Sequence, residues 1–472
     1  MTTELERNIP GVIGIVSLGC SKNRVNTEQM MFLLRQAGYI VTGDTENVDI
    51  VLLNTCGFME SAKSEAVEHI LEFTAAKRNG SIGKLVVTGC LPQRHKTEMQ
   101  KELPEIDAIA GTGSFDDIVT IIRSLDKTRG KTRGQSPCLE YFGDIDAPVS
   151  EAGRIISTSP VWAYLKIAEG CDNHCAYCCI PSIRGRFRSR LKENIVAEAE
   201  KLVKNGIREL IVVAQDVTGY GSDIYGEPRL ADLLLDLTRI NDLKWIRLHY
   251  LYPDGLNDEL IDVIAKSGKI LKYLDIPVQH INDVILGKMN RRGTKNEIIK
   301  LFKELRERIP GVVLRTSLIT GLPGEGDEEF EELCRFLRET EIERVGVFAY
   351  SPEEGTTAAL MERPSVEIAE KRAEQLSQLQ SEIMHRWNQS RIGSVVTVLL
   401  DDTAQEVYDP QHPEYLCARS YAESPDIDGT ILIKVSTFDK AEEPSPCFEP
   451  SPCFVGVRIT GMENGLLVGE VN

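Results

Sequence analysis

Three short apolar runs near the start of the chain end alike: IVSLGC, VLLNTC and LVVTGC close on Cys20, Cys56 and Cys90. A helical pattern follows the first run through Met30, Leu33 and Leu34, and the second through Ala66, Ile70 and Leu71. Short buried strands alternating with helices read as a parallel sheet. The carboxyl ends of such strands share one edge, where ligands bind. Cysteines separated by 36 and 34 residues therefore converge on that edge. Any one of them alone reads as a buried thiol. Three in the same structural position point to a shared ligand, and thiolates suit an iron–sulfur cluster. Gly19 and Gly89 precede two of the cysteines and Gly57 follows the third, which lets the backbone turn tightly there.

The alternation resumes in the middle of the chain. Candidate strands at 163–167, 209–213, 245–249, 273–277, 313–318 and 344–349 suggest a full or partial (β/α) barrel. Directly after the first of them stands CDNHCAYC, which places Cys171, Cys175 and Cys178 in a C-x3-C-x2-C spacing. Three thiolates on one loop can hold three irons of a four-iron cube and leave the fourth open to substrate. A zinc site completed by His174 or Cys179 is one alternative, and three unrelated buried thiols are the other. Cys179, adjacent to Cys178, reads as structural. Arg184, Arg186, Arg188 and Arg190 alternate after the loop. They suit pairing with phosphate or carboxylate, or form a solvated basic segment.

Hydrophobic residues make up 42% and charged residues 27% of the 472, which is ordinary globular composition. No apolar run is long enough to span a bilayer, and residues 1–10 lack the apolar stretch of a secretory signal. The expectation is a cytoplasmic protein without membrane contact. Twelve unevenly spaced cysteines in a reducing compartment are not a disulfide framework. A net charge of −18 argues against a general nucleic-acid binder.

The expected organisation is an N-terminal parallel α/β domain at 10–126, a linker at 127–156, a central barrel-like domain at 157–390 and a small all-β domain at 391–472. The linker opens with the basic stretch KTRGKTRGQ. Ala369, Ala373, Leu376, Leu379, Ile383 and Trp387 mark one face of a helix that ends at Gly393. Beyond it, β-type runs at 395–400, 430–435 and 455–459 suggest a small barrel. A duplication, PSPCF at Pro444 and again at Pro450, reads as a loop insertion because proline is excluded from central strands.

The cysteine loop resembles the signature of the radical S-adenosylmethionine superfamily. The wider pattern is similar to that of its methylthiotransferases: SLGCSKN with Glu28, NTCGF and TGCLP at the three strand ends, then Ile180-Pro181, Arg184-Gly185, Ser189-Arg190, Gln279-His280, Met289-Asn-Arg291 and GLPGE ending at Glu325. The acidic C-terminal segment resembles the TRAM module. The resemblance implies two [4Fe–4S] clusters, one on Cys171, Cys175 and Cys178 and one on Cys20, Cys56 and Cys90. It implies S-adenosyl-L-methionine as co-substrate, with Tyr177 near its adenine, and a protein electron donor such as flavodoxin or ferredoxin. It assigns no catalytic residue beyond the cluster ligands. A radical made at the first cluster takes a hydrogen from an unactivated carbon, the second cluster carries or delivers sulfur, and a second S-adenosylmethionine supplies the methyl group.

Two branches of this family differ in substrate. One modifies an adenosine of transfer RNA; the RimO-like branch modifies an aspartate in the twelfth protein of the small ribosomal subunit. SLGCSKN, NTCGFMESAK, Gln215-Asp216 and LDIPVQH resemble the second, although Ser21 stands where that branch usually has proline and Asn26 where it has aspartate. Charge points the same way. Residues 395–472 hold 14 Asp/Glu against four Lys/Arg, a net −10, which suits a basic ribosomal protein or the ribosome better than an RNA backbone. RNA contact is the less favoured expectation. A transfer-RNA methylthiotransferase is the first alternative, and a non-catalytic iron–sulfur or zinc protein the second.

Overall fold

The run VDIVLLNT is buried at every position except Asp49, as a central strand covered on both faces must be. In the computed structural model, which describes residues 11–126, 138–400, 415–440 and 454–472, this strand, Val48–Thr55, lies inside a six-stranded sheet. The sheet order is Ile40–Thr42, Val12–Ser17, Val48–Thr55, Ile82–Gly89, Ala108–Ala110 and Leu139–Tyr141, all parallel. Alternate residues feed two cores. Ile13, Ile15, Ile50 and Leu52 pack with Met30, Leu34 and Ile121 on one face. Val51, Leu53, Leu85 and Val87 pack with Ala66, Ile70 and Phe73 on the other. Helices Ser21–Gln36 and Ile118–Asp126 thus cover one face and Glu60–Asn79 the other.

The sheet extends beyond what the pattern of apolar runs suggested. Leu139–Tyr141, inside the stretch read as linker, pairs with Ala108–Ala110 as the sixth strand. Three residues with a half-exposed pattern leave no periodicity to detect. The KTRGKTRGQ stretch lies outside the described residues, as does the PSPCF duplication apart from Phe454.

Residues 1–157, 168–189 and 353–356 form one compact unit, so the Cys171 loop belongs to the same unit as the N-terminal sheet. The second unit holds a parallel sheet of six strands in consecutive order: Trp162–Lys166, Glu209–Val213, Trp245–Leu248, Ile270–Asp275, Val313–Thr320 and Arg344–Ala349. The first and last strands do not pair, so the barrel is an open arc. Helix Val366–Arg391 follows, its first turn capped by the Ser365 hydroxyl, which accepts from the Ile368 amide. It leads into a closed five-stranded barrel with the order Val395–Leu400, Tyr415–Arg419, Ile431–Lys434, Leu466–Val471 and Phe454–Glu463. Val398, Ile431, Val457 and Ile459 fill its interior.

This barrel is fixed to the arc by buried charge. Glu209 accepts from Arg247 Nε at 2.8 Å and lies 2.9 Å from Arg419 Nη2, with all three side chains at most 2% exposed. Glu423 meets Arg391 and Arg344. Tyr273 donates to Asp428 and Tyr164 to Asp426. Part of the −10 charge is therefore spent inside the molecule, and the acidity available to a basic partner is smaller than the count of carboxylates suggests.

Candidate cofactor site

Register brings the three strand ends level. Ser17 pairs with Asn54 and Asn54 with Thr88, on adjacent strands. Cys20, Cys56 and Cys90 follow those residues by two or three positions, so they reach the same edge of the sheet. Cys20 is the N-cap of helix Ser21–Gln36, and Cys90 is the first residue of helix Cys90–Glu102. Helix N-termini stabilise thiolates and other anions. Desolvation raises the Cys20 thiol, but Lys22, Arg184 and the Asn23 and Lys22 backbone amides outweigh it and hold the pKa below its ordinary value. Cys56 is pushed up to about 12, by desolvation and then by the charges of Cys20 and Cys90.

Gly19, at φ +88°, shows how closely the chains approach. A Cβ there would lie 2.7 Å from Cys56 Cβ. Only glycine combines this backbone conformation with that approach.

The Cys171 loop is closed at its base by a short antiparallel pair, Ala168–Glu169 with Arg188–Ser189. Cys171 N donates to Gly185 O and Cys178 N to Cys175 O, which fold the loop on itself. Two sulfurs receive hydrogen bonds: Asn173 Nδ2 donates to Cys171 Sγ at 3.5 Å and Ile180 N to Cys178 Sγ at 3.4 Å. Burial pushes the Cys178 thiol up, Ile180 N lowers it, and neighbouring Cys175, Cys179 and Cys171 raise it further. Tyr177 is half-buried beside Cys178. Cys179 packs with Cys90, Ile183 and Phe58, and His174 is exposed.

Among the described residues no three Cys, His, Asp or Glu side chains converge tightly enough for a single metal ion. A cube of four irons asks for something else, since each thiolate binds a different iron and the sulfurs spread around the cluster. Two sets of three thiols, one with N–H donors aimed at its sulfurs and the other at helix N-termini beside a buried cation, fit that demand.

The alternating arginines are not a uniform basic face. Arg184 and Arg190 are 3% and 5% exposed. Arg190 pairs with Glu198 at 2.6 Å, and of the four only Arg186 is exposed. Arg184 donates to Asn26, Asn23, Glu169 and Cys90. Burial works against its charge, but Cys90, Glu169 and Cys20 more than offset that. The sequence places Arg184 in a basic run and in the Arg184-Gly185 motif, but assigns it no partner. Asn23 enters the sequence reading only within SLGCSKN and Asn26 only as a departure from the usual aspartate; both help turn the first turns of helix Ser21–Gln36 into a buried polar face.

In the second unit the Gln279-His280 and GLPGE segments also meet. Gln279, at φ +70°, bridges to Leu318, and His280 Nε2 lies 3.3 Å from Glu325 Oε2. Glu325 accepts from Gly321 N and from Arg372.

The comparison with known proteins divides the chain into three matched segments. Residues 165–337 match the Radical SAM superfamily, 392–471 the TRAM domain, and 12–111 the Uncharacterized protein family UPF0004. Full-length relatives decide the assignment. "Ribosomal protein uS12 methylthiotransferase RimO" of Acetivibrio thermocellus is 41% identical, covering 97% of this chain and 98% of its own. The protein of the same name from Thermoanaerobacter sp. is 43% identical over 97% and 99%. The chain belongs to the RimO family. It is a radical SAM methylthiotransferase, a family that works with S-adenosylmethionine and two [4Fe–4S] clusters. Among solved structures, the radical S-adenosylmethionine methyltransferase TsrM from Kitasatospora setae is similar at TM-score 0.56 and 13% identity, covering 74% of each chain, which supports the fold alone. Among the described residues no helix is long and apolar enough to cross a membrane.

Proposed function

We propose that this enzyme attaches a methylthio group to the β-carbon of an aspartate in ribosomal protein uS12, the twelfth protein of the small subunit. The observation that carries the reading is the pair of three-cysteine sets held in one compact unit, in a chain 41–43% identical to uS12 methylthiotransferases over almost its whole length. Cys171, Cys175 and Cys178 hold one cluster, and Cys20, Cys56 and Cys90 the other. When bound, the first supplies the electron that cleaves S-adenosylmethionine to a hydrogen-abstracting radical, and the second supplies the sulfur.

The chain's own residues prepare these sites. Asn173 and the Ile180 amide donate to thiolate sulfur. Gly19 leaves room for Cys20 and Cys56 to approach the same object. Tyr177 flanks the adenine of S-adenosylmethionine. Residues 10–126 serve the sulfur-bearing cluster, the unit around 157–390 the radical step, and 391–472 the basic protein substrate through its remaining surface acids. Such a substrate places the enzyme in the cytoplasm, with flavodoxin or ferredoxin as reductant.

The test is reconstitution. The iron- and sulfide-loaded enzyme, given S-adenosylmethionine, dithionite and uS12, is expected to add one methylthio group to one aspartate. Modification of a transfer-RNA substrate with none on uS12 contradicts the proposal.

A further inference from the structure

Arg184 is the last residue of the short helix Ile180–Arg184, six positions beyond Cys178. Its guanidinium leaves the loop it belongs to and reaches the edge that carries the other cysteines. Nη1 donates to Asn26 Oδ1 at 2.8 Å and to Glu169 Oε2 at 3.4 Å. Nη2 donates to Asn23 Oδ1 at 3.0 Å and to Cys90 Sγ at 3.3 Å. The Phe115 ring lies beneath it, 5.6 Å away. Asn23 and Asn26 are 1% and 3% exposed, and Arg184 itself 3%, so these contacts are removed from the protein surface.

A buried guanidinium is tolerated only when it is paired and hydrogen-bonded. Here the two closest partners are neutral amides, which fix the plane of the group and cancel none of its charge. Glu169 stands at the long end of the set. The positive charge is shared between Glu169 and the sulfur of Cys90, which takes an N–H of its own from Nη2.

We propose that Arg184 is a positioning residue of the second cluster: its charged N–H···S hydrogen bond orients Cys90 and raises the reduction potential of the cluster bound there. This rests on Cys90 being a cluster ligand. Reduction adds negative charge to the cluster and its thiolates, so a fixed cation and donor stabilise the reduced form more than the oxidised one. Burial keeps the interaction from being screened by salt. The same contact fastens the loop of the first cysteine triplet to the sheet edge that bears the second.

The test uses full-length chain in which Cys171, Cys175 and Cys178 are replaced by Ala, so that only one cluster remains. In that background the midpoint potential and the EPR signal of the reduced cluster are measured with Arg184, Arg184→Lys and Arg184→Gln. A fourth variant, Asn26→Asp, leaves every thiol and Arg184 in place and adds a carboxylate that draws the guanidinium's charge from Cys90. Arg184→Gln is expected to shift the midpoint to more negative potential and to change the EPR signal. Arg184→Lys is expected to recover part of the shift, and Asn26→Asp to move the midpoint the same way by less, with iron still at about four per chain. An unchanged midpoint and signal in both Arg184→Gln and Asn26→Asp, at full iron content, overturns the inference. If Arg184→Gln takes up no iron, Asn26→Asp decides alone. A parent that holds no iron overturns the ligand assignment, and the inference with it.

Discussion

Arg419, at the end of a strand of the C-terminal barrel, lies 2.9 Å from Glu209, the first residue of a strand in the parallel arc. Arg247 holds the other oxygen of the same carboxylate. Glu209→Gln leaves two buried guanidinium groups without their anion. Breaking a buried pair in this way costs about 3–5 kcal/mol. The expected outcome is a clear fall in the denaturation midpoint, read by urea titration. A midpoint within error of the parent's contradicts the idea that this carboxylate fastens the barrel.

The same network gives a pH dependence. Burial alone raises the carboxyl pKa of Glu209, Glu423 and Asp275. Arg419 and Arg247, Arg391 and Arg344, and Arg315 with His249 outweigh it, so all three lie below the ordinary carboxylate value. A folded pKa below the unfolded value of about 4 contributes stability that is complete above that pH and lost as pH falls through the folded values. Stability is expected to hold from neutral pH to about 5 and to drop steeply below about 4. Thermal melts across that range check it, and Glu209→Gln should show a shallower acid loss than the parent.

Gly19→Ala tests the convergence of the strand-end cysteines. The left-handed backbone costs an alanine about 1–2 kcal/mol, and its methyl would press on Cys56 Cβ. The expected result is reconstituted protein with about four irons in place of about eight, the Cys171 set being untouched. Replacing Cys171, Cys175 and Cys178 together should remove the complementary half. Loss of all iron in either variant, or of none, contradicts two independent sites.

Glu209–Val213, buried at every position, was legible as a short apolar run between turn signals, and its bounds are those the sequence suggests. Arg344–Ala349 and Val395–Leu400 also have the suggested bounds, although they are only partly buried, because β-branched residues recur along them. Tyr415–Arg419 was not legible: it ends on a buried arginine whose partner, Glu209, is more than 200 positions away. Leu466–Val471 was missed because a glycine and a glutamate interrupt a short apolar run. The arrival of Cys20, Cys56 and Cys90 at one sheet edge was legible because each follows the end of its strand within three residues. Arg184 was not, since arginine is normally exposed and nothing local tells that its partner Cys90 stands 94 residues earlier.

The acidic C-terminal segment is a mixed case. Its charge was plain in the sequence, but Glu423, at 2% exposed, serves Arg344 and Arg391 rather than a partner. The carboxylates that remain at the surface are therefore the ones to exchange for amides when docking to uS12 is measured. The expected effect is on the association rate, strongest at low salt.

The central claim is the substrate. The most direct measurement is mass spectrometry of ribosomal proteins and of digested transfer RNA from cells with and without the gene. The account expects uS12 to lose the mass of one methylthio group in place of one hydrogen when the gene is deleted, to regain it on complementation, and transfer-RNA nucleosides to be unchanged. An unchanged uS12 mass, with a transfer-RNA nucleoside that loses its methylthio group, would contradict it.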